Sequence, residues 1–285
     1  MDLKEVSLEI RELLEQRRKE LELSFIEEEH IYYMKDENGE VSTKFPSVSK
    51  LIKKFHKYFD ASGKALEMCK GNVDEQQKLL SEWKAAGIYS TNMGSRVHFM
   101  LENETIERYG KYKEVRQPIF ECNDEQLLKS DRMISAGQKF LDLMEEREAV
   151  LLDTEIVLGD PYLGYTGQPD KVWLMMSKDK TNFGFVLTDW KTNQPKNFQV
   201  HSYTGKMYYP FQDIHDNALG HYYLQQPLYG RLLMKMLEGT KYESTKMLGC
   251  VVVLLKDDGT FVEYKVPQDV NSRVMRLDIR KYTKK

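Results

Sequence analysis

Three carboxylates and one ammonium group fall close together in this chain: Glu155, Asp170, Asp189 and Lys191. Each lies in or beside a short apolar run with strand character. Carboxylates carried to one end of a sheet make a site for a hard divalent cation, because Mg²⁺ and Mn²⁺ prefer a few anionic oxygens together with retained waters. Phosphodiester hydrolysis needs a nucleophilic water, a counter-charge for the phosphorane oxygens and help for the leaving oxygen, and such an ion serves all three. Asp170 and Asp189 are expected on adjacent strands with one ion clamped between them. Lys191 stands two residues beyond Asp189 and so points to the same face of a strand, where its ammonium can orient the attacking water or stabilise transition-state charge. The main-chain carbonyl of Trp190 is a further candidate ligand. Glu155, one strand earlier, is a candidate for the same ion or a second one, with Asp153 as its rival.

The elements that must position these groups are legible as alternating runs and turns. Residues 148–158 read as a strand with Glu155 inside it, and 161–167 as turn residues. Residues 168–176 form the next strand, with Asp170 near its start. Residues 177–182 are a polar turn, and 183–190 an apolar strand that ends on Asp189-Trp190-Lys191. Upstream, helical spacing over 92–102 places Gly94, His98 and Glu102 on one face. Gly94 would let another backbone come close. His98 is either a buried, hydrogen-bonded histidine or a metal ligand facing the carboxylates. Downstream, residues 217–238 read as a helix with Asn217 as cap and Gly239 as stop. Gln225 and Tyr229 share one face of it, and Pro227 should cost it one backbone hydrogen bond. Two strands, 246–255 and 260–266, flank an Asp257-Asp258-Gly259 hairpin turn.

The rest of the chain is mainly helical. Residues 3–22 are amphipathic, for packing or for a partner. Residues 24–42 alternate about Asn38-Gly39, a hairpin signal. Ser47 is a candidate N-cap for a helix over 48–59, whose Lys50, Lys53, Lys54, His56 and Lys57 are either a solvated face or a phosphate-contacting one. Residues 61–110 read as helices broken near Gly71 and Gly87, and 123–147 as a helix with Leu127, Leu128, Ile134 and Phe140 on its apolar side. Between 194 and 223, Phe198, Tyr203, Tyr208, Tyr209, Phe211, Tyr222 and Tyr223 interleave with Lys196, His201 and Lys206. Aromatics offer stacking faces to unpaired bases and lysines track a phosphate backbone, or the aromatics pin a long loop to the core. The last fifteen residues hold Arg273, Arg276, Arg280, Lys281, Lys284 and Lys285 against Asp278, a local charge of +5 suited to phosphates.

With 285 residues, 41% hydrophobic and 31% charged, the chain can bury one large core, with or without a helical annex. A net charge of −3 gives no global sign of a nucleic-acid binder, so any basic surface must be segregated. Cys69, Cys122 and Cys250 are scattered and match no CxxC spacing. This argues against a disulfide framework, a zinc knuckle and a four-cysteine iron–sulfur cluster. No apolar run has the length of a membrane span, and the N-terminal stretch lacks an apolar signal core. The expectation is a cytoplasmic protein with no membrane partner.

Gln168-Pro169-Asp170 followed by Asp189-Trp190-Lys191 resembles the signature of the PD-(D/E)XK nuclease superfamily. Gly94-Ser95-Arg96-Val97-His98 is similar to the helical histidine motif of its RecB-like branch, and Gln225-Gln226-Pro227-Leu228-Tyr229 to that branch's Q-x-x-x-Y helix. The elements occur in the family's order over residues 94–229. The N-terminal hairpin and its Phe-Pro-Ser-Val helix start look, more loosely, like phage exonucleases and mitochondrial genome maintenance exonucleases of that branch. The resemblance implies an α/β fold: a three-layer restriction-endonuclease-like core with a mixed central sheet flanked by helices over 91–285, behind a helix, hairpin and helical annex over 1–90. It implies that His98, Asp170, Asp189 and the Trp190 carbonyl bind one or two Mg²⁺ or Mn²⁺ ions. It implies too that Glu155 supports the metal, Lys191 the water, and Gln225 and Tyr229 the substrate or the Lys191–carboxylate network. Gln226 and Pro227 stand where an apolar pair is usual, so Gln225 and Gln226 are interchangeable at this stage. The branch's iron–sulfur members are set aside by the cysteine count. The implied activity is a DNA exonuclease acting on single-stranded ends in replication, recombination or repair, in a bacterial or phage-infected cell, beside a single-strand-binding or recombination protein. A flap or branched-DNA endonuclease and a catalytically silent nucleic-acid-binding module are the alternatives.

Overall fold

The computed structural model describes residues 2–26, 29, 31–110, 113, 120–201 and 204–283. Tyr203, Lys284 and Lys285, named above, lie outside the described residues. The fold is α/β. A five-stranded mixed sheet is built from β4 (Val150–Thr154), β7 (Lys171–Met176), β8 (Phe183–Lys191), β9 (Lys246–Leu255) and β10 (Phe261–Lys265), in the order β10-β9-β8-β7-β4. Only the β8–β9 pair is parallel. The crossover between them is α6 (Ala218–Met236), capped as expected by the Asn217 side chain on Gly220 N. β8 and β9 read as near-continuous apolar runs because both their faces are covered.

Side chains alternate between two helical layers. Leu151, Trp173, Trp190, Val251 and Val253 pack with α4 (Val73–Tyr109) and α5 (Asp124–Glu146) through Val97, Leu101, Phe140 and Leu141. Leu152, Val172, Leu174, Phe185 and Leu187 face the other way, onto α1 (Leu3–Glu20) and α6. α1 is also tied to the sheet edge, where Ser7 Oγ donates to Leu151 O at 2.9 Å and Arg11 donates to Leu152 O. α1 shares one buried cluster with α6, and α4 runs without interruption through residue 90. No helix among the described residues is long and apolar enough to cross a membrane.

Several local expectations change. The helix capped by Ser47, α2 (Val48–Ile52), is one turn and not three. Its chain leaves the helix so that Phe55 can enter the core against Phe211 and Tyr282. Gly71, at φ 85°, does end the helical run after α3 (Ala61–Met68). Gly87 breaks nothing: α4 passes through it for 37 residues, since an exposed glycine costs a helix only about 1 kcal/mol. On α5 the buried face is Met133, Ala136, Gly137, Phe140 and Leu141, while Leu127 and Leu128 are exposed. The turn expected at 161–167 is a hairpin of its own, with β5 (Leu158–Asp160) paired to β6 (Tyr165–Gly167). Before the central sheet, β1 (Ser24–Ile26), β2 (Ile31–Lys35) and β3 (Val41–Ser42) form a small antiparallel sheet, with its Asn38-Gly39 turn as read.

The basic C-terminal segment folds as α7 (Gln268–Arg276) and α8 (Arg280–Thr283). Its cations are largely engaged within the chain: Arg273 with Asp213 and Asp269, Arg280 with Glu37, and Lys281 with Asp278. They are therefore poorly placed to serve as a free phosphate-binding tail.

Candidate metal centre

The antiparallel register sets the acidic residues side by side. Lys171 pairs with Thr188 and Thr154 pairs with Lys171, so Asp170 stands opposite Asp189, with Glu155 on its other flank. The Glu155 N–H donates to Asp170 O at 3.0 Å, which locks that flank. Asp170 immediately precedes β7, and one of its oxygens accepts from the Trp190 N–H at 2.7 Å. That hydrogen bond aims the carboxylate at the end of the sheet.

Glu155 is not inside a strand. β4 stops at Thr154 after a register shift between Leu151 and Asp153, and Glu155 turns back with φ 51°. A side chain in this left-handed region is uncommon and persists only where its surroundings hold it. The turn separates Glu155 from its rival. Asp153 accepts from Lys113 Nζ at 2.9 Å and from the Thr154 N–H, so its carboxylate is engaged by these two groups and is not one of the trio with His98 and Asp170.

His98 reaches the carboxylates from the anchored half of α4. Its Nδ1 is 3.4 Å from Asp170 Oδ2, and the ring also hydrogen-bonds the Trp190 backbone. One ligand atom each from His98, Glu155 and Asp170 fall within 4.8 Å of one another. Gly94, one turn earlier, lies against Thr192, where a Cβ would come 3.0 Å from its Oγ1. The close approach expected of Gly94 is thus to the chain just past β8.

Asp189 falls outside that trio. It is buried and ion-paired with Lys191, on the face of β8 that α6 covers. Lys191 Nζ lies 4.5 Å over the Tyr222 ring, and the Tyr222 hydroxyl donates to Asn193 Oδ1 at 2.8 Å. From the same helix Gln225 Nε2 donates to the Tyr229 hydroxyl at 2.8 Å. This separates the two glutamines: Gln225 joins Tyr229, whereas Gln226 is fully buried with neither amide atom hydrogen-bonded. Tyr229 also packs on Gly167, where any Cβ would come within 2.5 Å of its ring.

The electrostatics show a surplus of negative charge. Asp189 is pushed up to about 7 by burial and by Asp170, against the pull of Lys191. Glu155 is raised by burial, Asp170 and Glu102. Burial opposes the Lys191 charge, but Asp189 and Asp170 more than offset it and hold the ammonium protonated. Burial, with Lys191 nearby, pushes His98 down to about 4, so its imidazole is neutral and free to ligate near pH 7. Glu102, Glu155, Asp170 and Asp189 crowd around Lys171, with Lys113 near Glu155 and Lys191 beside Asp189, and such a set of carboxylates could hold a cation. Carboxylate oxygens, one imidazole and a carbonyl are groups that could hold a divalent cation.

Sequence reading missed three participants. Lys171 is fully buried, with Nζ 4.7 Å over the Trp190 ring, and lies within the field of Asp170, Glu155 and Glu102. Its signal was a lysine opening an otherwise apolar strand. Glu102 is a buried carboxylate one turn from His98, placed on the same face but given no role. Tyr222 stands three residues before Gln225, hence on the same face of α6, and supports Lys191 rather than lying in a loop.

The site opens into a groove of about 1100 Å³, lined among others by Gly94, His98, Lys129, Thr192, Lys196 and Lys256. The overhanging half of α4 forms one wall through Ala85, Ala86, Gly87 and Tyr89. Of the aromatic stretch, Phe198 and Phe211 are core residues, whereas Tyr208 and Tyr209 are exposed. Searches against models of known protein families and against curated protein sequences found no match.

Proposed function

We propose that this chain is a Mg²⁺- or Mn²⁺-dependent deoxyribonuclease of the RecB-like PD-(D/E)XK kind, working as an exonuclease on single-stranded ends. The observation that carries the reading is the meeting of His98, Asp170 and the Trp190 backbone beside the Asp189–Lys191 pair, at one end of adjacent strands, with His98 also lining a groove. The mixed sheet with helices on both faces is compatible with the restriction-endonuclease-like core that this reading requires.

His98, Asp170, Asp189 and the Trp190 carbonyl would hold the ion, with Glu155 supporting it or a second one. When bound, the ion supplies Lewis-acid charge to the scissile phosphate and an acidified water. Lys191 is held cationic beside Asp189, so it is suited to orient the water and to meet charge on the phosphorane oxygens, rather than to act as a base. Asp189 pairs with Lys191 through Oδ2, so Oδ1 is the oxygen it would offer to the ion, with the ammonium still beside the site. Tyr222 keeps that ammonium within the site. Gln225 and Tyr229 position the pair from behind. Lys196 lines the groove as a cation for the phosphate backbone of a single strand, whereas Lys129 and Lys256, which also line it, would first have to leave Glu125 and Asp258. DNA replication, recombination or repair is the setting such an activity serves.

The test is a cleavage time course on a single-stranded oligonucleotide labelled at one end, then at the other, with Mg²⁺ or Mn²⁺ and Asp189→Ala in parallel. Early release of mononucleotides or short products from one labelled end supports the exonuclease and gives its polarity. Cutting of circular single strands would replace it with an endonuclease, and absence of any cutting would leave a binding module.

A further inference from the structure

A second cluster of ligand-type side chains lies outside the strand-end site. His56 follows α2, Asp216 immediately precedes the Asn217 cap of α6, and His221 stands in the first turn of α6. One ligand atom from each of the three lies within 4.8 Å of the other two, and all three residues are half-buried. The imidazoles of His56 and His221 are stacked, with centroids 4.3 Å apart and planes at 22°.

We propose that His56, Asp216 and His221 form a second metal site, selective for Zn²⁺ and its borderline neighbours Co²⁺ and Ni²⁺, and independent of the strand-end site and of its proposed activity. Two imidazoles and one carboxylate favour such ions over Mg²⁺, which takes mainly oxygen. The outer contacts are those a ligating set needs. His56 Nδ1 lies 3.1 Å from Lys57 O and must donate to it, which fixes the tautomer that leaves Nε2 as the lone-pair nitrogen. Asp216 Oδ2 accepts from the Lys57 N–H at 3.0 Å, so Oδ1 is the free ligating oxygen.

Asp216 Oδ1 sits 2.7 Å from His221 Nε2, an arrangement that holds a proton where an ion would sit. A tetrahedral ion with bonds of about 2.0–2.1 Å sets adjacent donors roughly 3.3 Å apart, so the Asp216–His221 pair opens slightly and the ligand atoms of the trio, now within 4.8 Å of one another, draw in to exchange proton for metal. The frame is held in place. Asp216 N donates to Gly205 O at 2.9 Å, and Tyr208 N donates to Phe55 O at 2.7 Å. His215, next in sequence, accepts from Lys206 and is not counted as a ligand. Three protein donors leave a fourth position for water. Bound metal would fasten the segment after α2 to the start of α6, the helix that carries Tyr222, Gln225 and Tyr229.

The full chain is stripped with chelator, equilibrated with one to two equivalents of Zn²⁺ in excess Mg²⁺, desalted and analysed for zinc. Asp170→Asn, which disables the strand-end site, should retain one zinc per chain. The same protein carrying His56→Gln and His221→Gln should lose it, and Asp216→Asn, which keeps the Lys57 hydrogen bond, should weaken binding at least tenfold. Circular dichroism checks that each variant folds. Zn²⁺ should raise the melting temperature of Asp170→Asn but not of the histidine variants. Equal zinc content with and without His56 and His221, or no retained zinc in Asp170→Asn, overturns the proposal.

Discussion

The two histidine–carboxylate clusters use similar residues to opposite ends. At the strand ends, one imidazole meets a crowd of carboxylates and lysines drawn from the layered core, and burial, with Asp170 nearby, raises Glu155 and Asp189. Around His56, two imidazoles meet one carboxylate where the segment after α2 meets the start of α6; His56 and Asp216 are fixed by main-chain contacts and His221 by Asp216. The first arrangement crowds buried carboxylates until they hold protons above their ordinary range, protons that a cation could displace. The second is already satisfied by a shared proton and gains mainly rigidity from an ion. Similar side chains thus diverge in chemistry according to how much negative charge the fold forces together.

The largest expected effect breaks the strand-end cluster. Asp189→Ala and Lys191→Ala should each reduce cleavage by about 10³-fold or more with a native circular dichroism spectrum, whereas His56→Gln should leave the rate with Mg²⁺ within about twofold. Next, Gly94→Val places a branched side chain against Thr192. A displacement of the groove wall by about 1 Å should lower kcat/KM roughly 10²-fold without lost stability, read from steady-state kinetics on a single-stranded substrate.

The pH dependence separates the clusters by sign. Folded Asp189 keeps its proton up to about 7 against an ordinary 3.8, so the folded state binds the extra proton between these values. Its contribution to stability is fully present below the ordinary value and is lost as pH rises toward 7. The melting temperature of metal-free protein should therefore fall across that window, and Mn²⁺ or Asp189→Asn should flatten the slope. Cleavage should rise over the same range. His221 behaves oppositely. Burial lowers it, so its contribution is lost as pH falls below the ordinary histidine range. The smallest effect is Tyr222→Leu, which removes the ring over Lys191 and should cost about tenfold in kcat, in line with one partly buried cation–π contact.

Much of the frame was legible because it rests on local rules. Ser47 and Asn217 cap their helices through the side-chain contacts that their residue types favour, and Asp257-Asp258-Gly259 closes β9 onto β10. The alternation along 183–190 placed Asp189 and Lys191 on one face, as the structure has them. What escaped depends on distant contacts. Nothing near Phe55 announces that the core will pull it out of a helix, and no period distinguishes a bulge at Leu151–Asp153 from a straight strand. Lys171 and Glu102 look like ordinary surface charges until β7 and α4 are stacked. Tyr222 fell inside both the helix over 217–238 and the aromatic run over 194–223, and nothing local tells which of the run's rings will meet Lys191.

α4 carries one further consequence. Its second half, from Met93 to Ile106, is clamped under α5 and the sheet, whereas in the first half only Gln76 is buried. At about 1.5 Å per residue the whole rod is some 55 Å long, and nearly half of it is a lightly buried cantilever braced by α3, where Gln76 Nε2 donates to Ser62 O at 2.9 Å. Backbone amides along that projecting half should trade hydrogen for deuterium through small local openings, and those around His98 only when the whole domain opens. A strand threaded beneath the cantilever would slow exchange in the outer half first, recording its passage before any bond is cut.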